Sequence, residues 1–366
     1  MNDTDYMAQA ISLAERGRGW TSPNPMVGAV LVKDGRVIGQ GWHKCCGGLH
    51  AEREALADCQ ESPEGSSLYV TLEPCCHYGR QPPCTDAILD AGIARVVVGS
   101  IDPNPLVAGK GLEILRSHGV SVETGILRKE CDKLNQVFFH YITTGQPYVT
   151  MKYAMTLDGK IATHTGASRW ITGEDARKQV HRDRHANAAI LAGSGTVLAD
   201  DPMLTCRLEG GKNPLRVVCD TQLRIPLDSA LVRTAKGVST VIAAGPVESW
   251  QSAPYEAAGC QVWSLPLREG HVDPVALMNR LGQEGIDSLL LEGGGTLNWS
   301  MLSLELVQRV QTYISPKIFG GTSPSPVGGL GVEVPDQAFR LTDVTITRLG
   351  EDFLLEGGVD YVHGDY

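Results

Sequence analysis

Histidine, glutamate and cysteine recur in the first quarter of the chain at spacings that suit a metal. His50-Ala51-Glu52 stands at the start of an expected helix, Glu73-Pro74-Cys75 at the end of an expected strand, and Cys84 nine residues beyond Cys75. One imidazole nitrogen and two thiolates make three ligands of a tetrahedral zinc and leave the fourth position to water. Zinc lowers the pKa of such a water toward neutrality. Glu52, two residues from His50, reaches the same place without ligating. A carboxylate there can take the water's proton and deliver it to a leaving amine. Cys76 and His77 are rival ligands beside Cys75. Clustered cysteines at a strand end are also common as small core residues.

The composition sets the frame for this chemistry. The chain has 366 residues, 42% hydrophobic and 20% charged, which fits a folded protein of two domains. Its 42 acidic and 32 basic residues give a net charge of −10, which disfavours a broad grip on nucleic acid but not a few local arginines on a small anion. Met1 to Tyr6 carries two aspartates and no basic residue, unlike a secretory signal. No apolar run approaches the ~18 residues of a membrane span. A reducing, cytoplasmic setting follows as the expectation. Six of the ten cysteines fall between Cys45 and Cys84, and there clustering points to metal rather than disulfides.

The elements that must position these residues can be read from periodicity. We expect a helix over Tyr6–Arg16, a strand over Val27–Val32, a turn at Lys33-Asp34-Gly35-Arg36 and a return strand from Val37. A helix from His50 through Ala57, a strand over Leu68–Leu72, a helix over Asp86–Ala91, a strand over Arg95–Ser100 and a helix over Leu112–Ser117 follow. The alternation implies an α/β sandwich with a central sheet. Thr143-Thr144-Gly145-Gln146-Pro147 marks the boundary, giving domains 1–145 and 146–366. The second half alternates likewise. It has a helix over Glu174–Asn187, strands at Tyr148–Tyr153, Ala188–Ala192, Leu215–Cys219, Ser239–Ala243, Gln261–Leu265 and Ser288–Leu291, and a β-rich finish.

Two of those strands end in glycines, Gly193-Ser194-Gly195-Thr196 and Glu292-Gly293-Gly294-Gly295-Thr296. Bare amides at such turns can bind phosphate. Neither completes G-x-G-x-x-G, because Leu198 and Asn298 stand where the last glycine belongs. By itself each loop reads as a tight structural turn.

Taken together the motifs resemble a known family. H-x-E followed by P-C and a later C is the pattern of zinc-dependent nucleobase deaminases. Here Tyr78 replaces the second cysteine of P-C-x-x-C, and the interval runs on to Cys84. The strings TSPNPMVGAV and TLEPCCHYGRQPPC, with His43 seven residues before His50, resemble the deaminase domain of the bifunctional riboflavin biosynthesis family. KYAMTLDGK from Lys152, GASRWIT from Gly166, TVLADDP from Thr196, the Glu292–Thr296 turn and PKIFGG from Pro316 resemble its reductase domain, in order. One departure precedes the zinc histidine, where Gly48 and Leu49 replace the usual glutamate and proline.

The resemblance implies a cytidine-deaminase-like α/β/α sandwich followed by a dihydrofolate-reductase-like α/β domain. It implies one Zn2+ per chain on His50, Cys75 and Cys84, Glu52 as proton carrier, and NADPH in the second domain. Asn24 and His43 would line the base pocket, with Arg80 and Asp102-Pro103-Asn104-Pro105 near the substrate. Ala154, Trp170, Thr196, Asp200 and Thr221 would contact NADPH, and Gly294, Gly295 and Thr296 would cradle its pyrophosphate. Ser168, Arg184, Leu204, Arg207 and Glu292 would contact the substrate. Lys152 and Glu292 are the candidates for proton delivery or charge control, and the cofactor supplies the hydride.

Blander readings stand beside these. Asn24 also suits a turn, and His43 a strand-end surface. Arg184 suits a solvated helix face, Arg207 a loop salt bridge, Trp170 the core, and Asp200-Asp201-Pro202 a helix-capping turn. The guanidinium forks of Arg184 and Arg207 match phosphate oxygens.

The family's activity would be hydrolytic deamination of a diaminopyrimidinone ribosylamino phosphate. Reduction of its ring-opened ribosyl chain follows, giving 5-amino-6-(5-phosphoribitylamino)uracil. The expected partner is a small phosphorylated pyrimidine, with no nucleic acid and no membrane, in a homo-oligomer. A tRNA or cytidine deaminase with an unrelated appendage and a zinc-stabilised binding protein are the rival readings. The charge and the long Cys75–Cys84 interval argue against the first, and the intact Glu52 against the second. Cys45 and Cys46 have no counterpart in the pattern, and Cys59, Cys131, Cys206, Cys219 and Cys260 are expected to be structural.

Overall fold

A computed structural model describes residues 1–78 and 81–361. The chain divides into two compact units, Met1–Gly145 and Gln146–Tyr366. Among the described residues no helix is long and apolar enough to cross a membrane.

The first unit is built on five strands, β1 (Gly28–Lys33), β2 (Arg36–Trp42), β3 (Ser67–Leu72), β4 (Arg95–Ser100) and β5 (Ser121–Thr124), in the order β2-β1-β3-β4-β5. β1 runs antiparallel to both its neighbours; β3, β4 and β5 are parallel. Side chains alternate across a pleated strand, so both faces are apolar. Val30, Val32, Tyr69 and Val97 pack with Tyr6, Met7 and Ala10 of the Asp3–Glu15 helix. Ala29, Leu31, Leu68, Val70 and Val96 pack with the helices Ala51–Ala57, Cys84–Asp90 and Lys110–Ser117. This is the expected α/β/α sandwich. The Asp34-Gly35 turn takes positive φ at both residues (48° and 72°), the geometry that a two-residue hairpin needs.

One contact fixes the depth of the helix that carries the chemistry. A Cβ built on Gly39 would lie 2.4 Å from Ala55 O, and one on Gly41 2.4 Å from Ala55 N. The Ala51–Ala57 helix therefore lies directly on the backbone of β2.

The second unit holds β6 (Tyr148–Thr156), β7 (Ala189–Gly193), β8 (Leu215–Cys219), β9 (Thr240–Ala244), β10 (Gln261–Ser264), β11 (Leu267–Arg268), β12 (His271–Val272), β13 (Ser288–Leu291), β14 (Arg309–Ser315), β15 (Arg340–Leu349) and β16 (Asp352–Asp360). Nine form one sheet in the order β10-β9-β8-β7-β13-β6-β14-β16-β15, and β11 and β12 pair separately. From β10 to β14 every pairing is parallel, and the β15–β16 hairpin closes the edge antiparallel. Central strands buried on both faces read as continuous apolar runs. Leu289 and Leu291 face Leu277, Leu281 and Met301, whereas Leu290 faces the opposite cluster with Ile190, Val197 and Leu231.

The structure also holds elements that periodicity did not flag. β5 has a single part-buried residue, Val122. The Arg128–Leu134 helix buries only Cys131 and Leu134. Neither carries a stripe strong enough to read.

Candidate active sites

In the first unit, three loops converge on one cavity. His50 is the extended N-cap residue of Ala51–Ala57, and its side chain makes no capping bond. Cys75 follows β3. Cys84 opens Cys84–Asp90, two residues earlier than the helix start expected from sequence. The reason is local: Pro83 precedes the helix, and the amides of Cys84 and Thr85 both donate to Cys75 O (3.0 and 3.2 Å). Arg53 ties the same loop down by donating to Pro82 O and Pro83 O (3.2 and 2.9 Å).

His50 Nδ1 lies 3.5 Å from Cys75 Sγ and 3.3 Å from Cys84 Sγ. All three ligand atoms fall within 4.8 Å of one another. Zinc bonds of about 2.3 Å to sulfur and about 2.0 Å to nitrogen give a tetrahedron with N···S edges of about 3.5 Å. The donor set thus fits Zn2+ in both spacing and type. Hydrogen bonds from Cys84 and His50 hold the Cys75 thiol well below its usual range, and burial opposes them without prevailing. The geometry favours Cys75 over its rivals. Cys76 Sγ turns to Leu106 O (3.8 Å), and neither it nor His77 joins the ligand cluster.

Glu52 is buried beside the ligands, 3% exposed. Burial, with the Cys75 charge adding to it, pushes its carboxyl up to about 7 against the pull of His50. The cavity is about 380 Å3 and its lining includes Asn24, His43, Glu52, Asp102 and Asn104. His43 Nδ1 faces Leu49 O (2.9 Å), so it carries the proton, and Nε2 then accepts from Asn24 Nδ2 (3.1 Å). Burial lowers the His43 pKa, which keeps the ring neutral. Asn24 is thus both a turn residue and a wall of the cavity. Arg80 lies outside the described residues.

Two features here were not legible in the sequence. Glu73 is no ligand; its buried carboxylate accepts the amides of Asp102, Gly109 and Gly111 (3.4, 2.9 and 3.1 Å) and pins the 102–111 segment over the cavity. Cys46 lines the same cavity, which gives that thiol a location where the sequence offered none. Cys131 and Cys260 are core residues as expected, and all ten cysteines are free.

In the second unit the candidate residues gather at the carboxyl ends of adjacent parallel strands, the usual crevice of an open α/β sheet. Gly193 ends β7 and Ser194–Thr196 follows it, Thr221 follows β8, Glu292–Thr296 follows β13, and Lys152 and Ala154 lie on β6. The two glycine turns face each other: a Cβ on Gly294 would meet only Thr196 Oγ1, at 3.5 Å, and one on Gly195 would meet nothing within 4 Å. Bare backbone of that kind fits the pyrophosphate of a nucleotide cofactor. Thr221 Oγ1 accepts from Val272 N (3.2 Å).

Glu292 is the hub. Arg184 Nε and Nη2 donate to its two oxygens (2.7 and 3.0 Å), Lys152 Nζ donates to Oε2 (3.4 Å), and Arg184 Nη1 donates to Thr205 O (3.0 Å). Burial alone would raise the Glu292 pKa, but the charges of Arg184 and Lys152 outweigh it and hold the group at about 2. Arg184 is therefore no solvated helix residue, and its fork is taken by a carboxylate.

Other expectations shift with the structure. Trp170 is no core residue; it is 60% exposed, with the Arg177 guanidinium 4.7 Å from its ring centre. Leu204 packs in the core beside Ile190 and Val218, which leaves its side chain out of the open crevice. Asp201 does cap a helix, accepting from Ala230 N (2.7 Å), whereas Asp200 accepts from Ser168 Oγ (2.9 Å). Arg207 is exposed.

Comparison with known proteins bears on both units. Residues 1–100 match the profile described as the cytidine and deoxycytidylate deaminase zinc-binding region, and residues 147–355 that of the RibD C-terminal domain. The riboflavin biosynthesis protein RibD of Actinobacillus pleuropneumoniae is 52% identical, over 97% of this chain and 95% of its own. That of Escherichia coli is 39% identical over 97% and 99%. A Thermotoga maritima diaminohydroxyphosphoribosylaminopyrimidine deaminase/5-amino-6-(5-phosphoribosylamino)uracil reductase superposes with a TM-score of 0.87 at 38% identity, covering 98% of this chain and 99% of its own. One form of Acinetobacter baumannii RibD gives 0.86 at 35% identity, with the same coverage.

Proposed function

We infer the reactions from one premise: the chain belongs to the RibD family of bifunctional riboflavin biosynthesis enzymes, with a zinc-binding deaminase domain followed by a reductase domain. The reading is that residues 1–145 hydrolyse the 2-amino group of a diaminopyrimidinone ribosylamino phosphate. Residues 146–366 then reduce its opened ribosyl chain to ribityl with NADPH. Its strongest support is the pairing of His50, Cys75 and Cys84 with a buried Glu52 in one cavity.

Zinc held by His50, Cys75 and Cys84 would supply a polarised, acidified water. Glu52 would take one proton from it at its carboxylate and return it to the leaving nitrogen. The ring carbon gains the oxygen, its C–N bond breaks, and ammonia departs. Asn24 and the neutral His43 hold the ring by hydrogen bonds, with Asp102 and Asn104 beside them. In the second unit Gly294, Gly295 and Thr296 would hold the pyrophosphate of NADPH, with Ala154, Trp170, Thr196, Asp200 and Thr221 as its other contacts. NADPH would supply the hydride. Ser168, Arg207 and the backbone at Leu204 orient the sugar phosphate, and Arg184 contributes by fixing Glu292 beside them. Lys152 and Glu292 set the charge beside the imine of the opened chain, where hydride would reach C1 and a proton the imine nitrogen, leaving the CH2–NH of the ribitylamine. We place the enzyme in the cytoplasm as a homo-oligomer acting on a small phosphorylated pyrimidine, without nucleic acid or membrane. The net charge of −10 supports the exclusion of nucleic acid.

The test is metal analysis with a coupled assay on the purified chain. One zinc per chain, ammonia release from the phosphorylated pyrimidine and subsequent NADPH oxidation are expected. Ammonia release from cytidine alone, or no NADPH oxidation with the deaminated intermediate, would overturn the assignment.

A further inference from the structure

Behind the Lys152–Glu292 pair lies a second polar couple that the reaction as described does not use. Tyr313 on β14 is fully buried, and its hydroxyl donates to Asp183 Oδ2 on the Glu174–Ala186 helix. Asp183 is itself 7% exposed, and Gln179 Nε2 donates to its other oxygen (3.0 Å). The Lys152 ammonium stands 5.6 Å from the centre of the Tyr313 ring. An ammonium over a tyrosine face is drawn to the ring, more strongly when both are desolvated. Lys152 is thus held from two sides, by the Glu292 carboxylate and by an aromatic face whose own hydroxyl is fixed by Asp183.

The charges around the couple come from every element packed on it. β6 contributes Lys152, the end of β13 contributes Glu292, and β16 contributes Glu356. Glu356 is already engaged, accepting from Gln311 Nε2 (2.9 Å) and Arg309 Nη2 (3.4 Å) of β14. Arg184, on the same helix as Asp183, is spent on Glu292. The Lys152 field lowers the Asp183 pKa against the effect of burial, and Arg184 is coupled to the same carboxyl.

We propose that Asp183 and Tyr313 are positioning residues for the reduction, holding the Lys152 ammonium in register with Glu292. This rests on the reading of the second unit as the reductase. Asp183 and Tyr313 touch neither cofactor nor substrate; they act through Lys152. Burial raises the Asp183 carboxyl to about 6, so the couple changes charge just below neutrality. The raised value places the stability that protonated Asp183 contributes below pH 3.8, and that contribution is lost as the pH rises through 6.

The experiment compares the full chain with Asp183→Asn and Tyr313→Phe. NADPH oxidation on the deaminated intermediate is followed from pH 5 to 9, thermal melts at pH 5 and 8 report folding of the substituted unit, and ammonia release is the control on the first unit. Both variants should lose at least tenfold in kcat with KM within threefold, while deamination is unchanged. Asp183→Asn should also lose the rise in kcat near pH 6 and narrow the difference between the two melting temperatures. Wild-type kcat and pH profile in both variants, or a change confined to KM, would overturn the proposal. So would loss of folding in both, which would leave the couple a packing role. An inactive wild type would instead remove the reductase reading and this inference with it.

Discussion

Glu52 and Glu292 are the same residue type, both largely shielded from solvent (3% exposed and an 11% exposed side chain), and they end at opposite ends of the carboxylate range. Among the described residues no lysine or arginine figures in the causes that set Glu52, and burial drives it up to about 7. Two cations act on Glu292 and hold it at about 2. A buried carboxylate takes its protonation state from the charges fixed around it and not from burial alone. The first unit keeps a carboxyl able to carry a proton. The second keeps one that stays ionised and anchors its cations.

The sharpest way to break this contrast is the same substitution at both sites. Glu52→Gln replaces a proton carrier by an amide of the same shape. Ammonia release should fall by about 10²- to 10⁴-fold. Zinc content, melting temperature and NADPH oxidation on the deaminated intermediate should be unchanged. Retained turnover would remove Glu52 from the mechanism. Glu292→Gln leaves Arg184 and Lys152 buried without an anion, which costs about 3–5 kcal/mol. Denaturant titration should show that loss with deamination intact. A neutral result would mean that the two cations find other partners.

A pH series sharpens the comparison further. The folded pKa of Glu292 lies below the ordinary 4.5, so its ion pairs contribute fully above pH 4.5 and are lost as the pH falls toward 2. The difference corresponds to about 3 kcal/mol. Acid denaturation of Glu292→Gln should therefore be flatter than wild type over that window, and parallel curves would refute the assignment. The smallest effect is expected at Glu73, a third buried glutamate, which is satisfied by backbone amides alone. Glu73→Gln should cost about 1–2 kcal/mol and raise KM for deamination a few-fold. An unchanged KM would mean that the 102–111 segment holds its place without the charge.

The same two units differ in how much of them the sequence displays. His50, Glu52, Cys75 and Cys84 fall within 35 residues, and their types and order are already a chemical argument. Lys152, Arg184 and Glu292 are spread over 140 residues. They meet because β13 lies between β6 and β7, an order that no local pattern encodes. Tyr313 and Asp183 were silent for the same reason. Trp170 and Leu204 show what position alone leaves open. Trp170 lies outside over an arginine, which sets aside the core reading and leaves it free for a ligand, while the Leu204 side chain is folded into the core at a turn with φ 48°, which leaves its backbone for any contact. The sandwich and the alternating second unit were readable because their strands carry apolar runs, whereas β5, with one part-buried residue, was not.

The close contact of the Ala51–Ala57 helix with β2 has a consequence for how sequence variation in this protein should be interpreted. At Gly39 and Gly41 the smallest possible change, one methyl group, would lift the helix that presents His50 and Glu52. These two positions carry no functional group, yet a saturation-mutagenesis screen for deamination should score them nearly as intolerant as the zinc ligands. Damage there would arrive as a misplaced catalyst in a folded chain, and a variant-effect survey that weighs chemistry alone would overlook it.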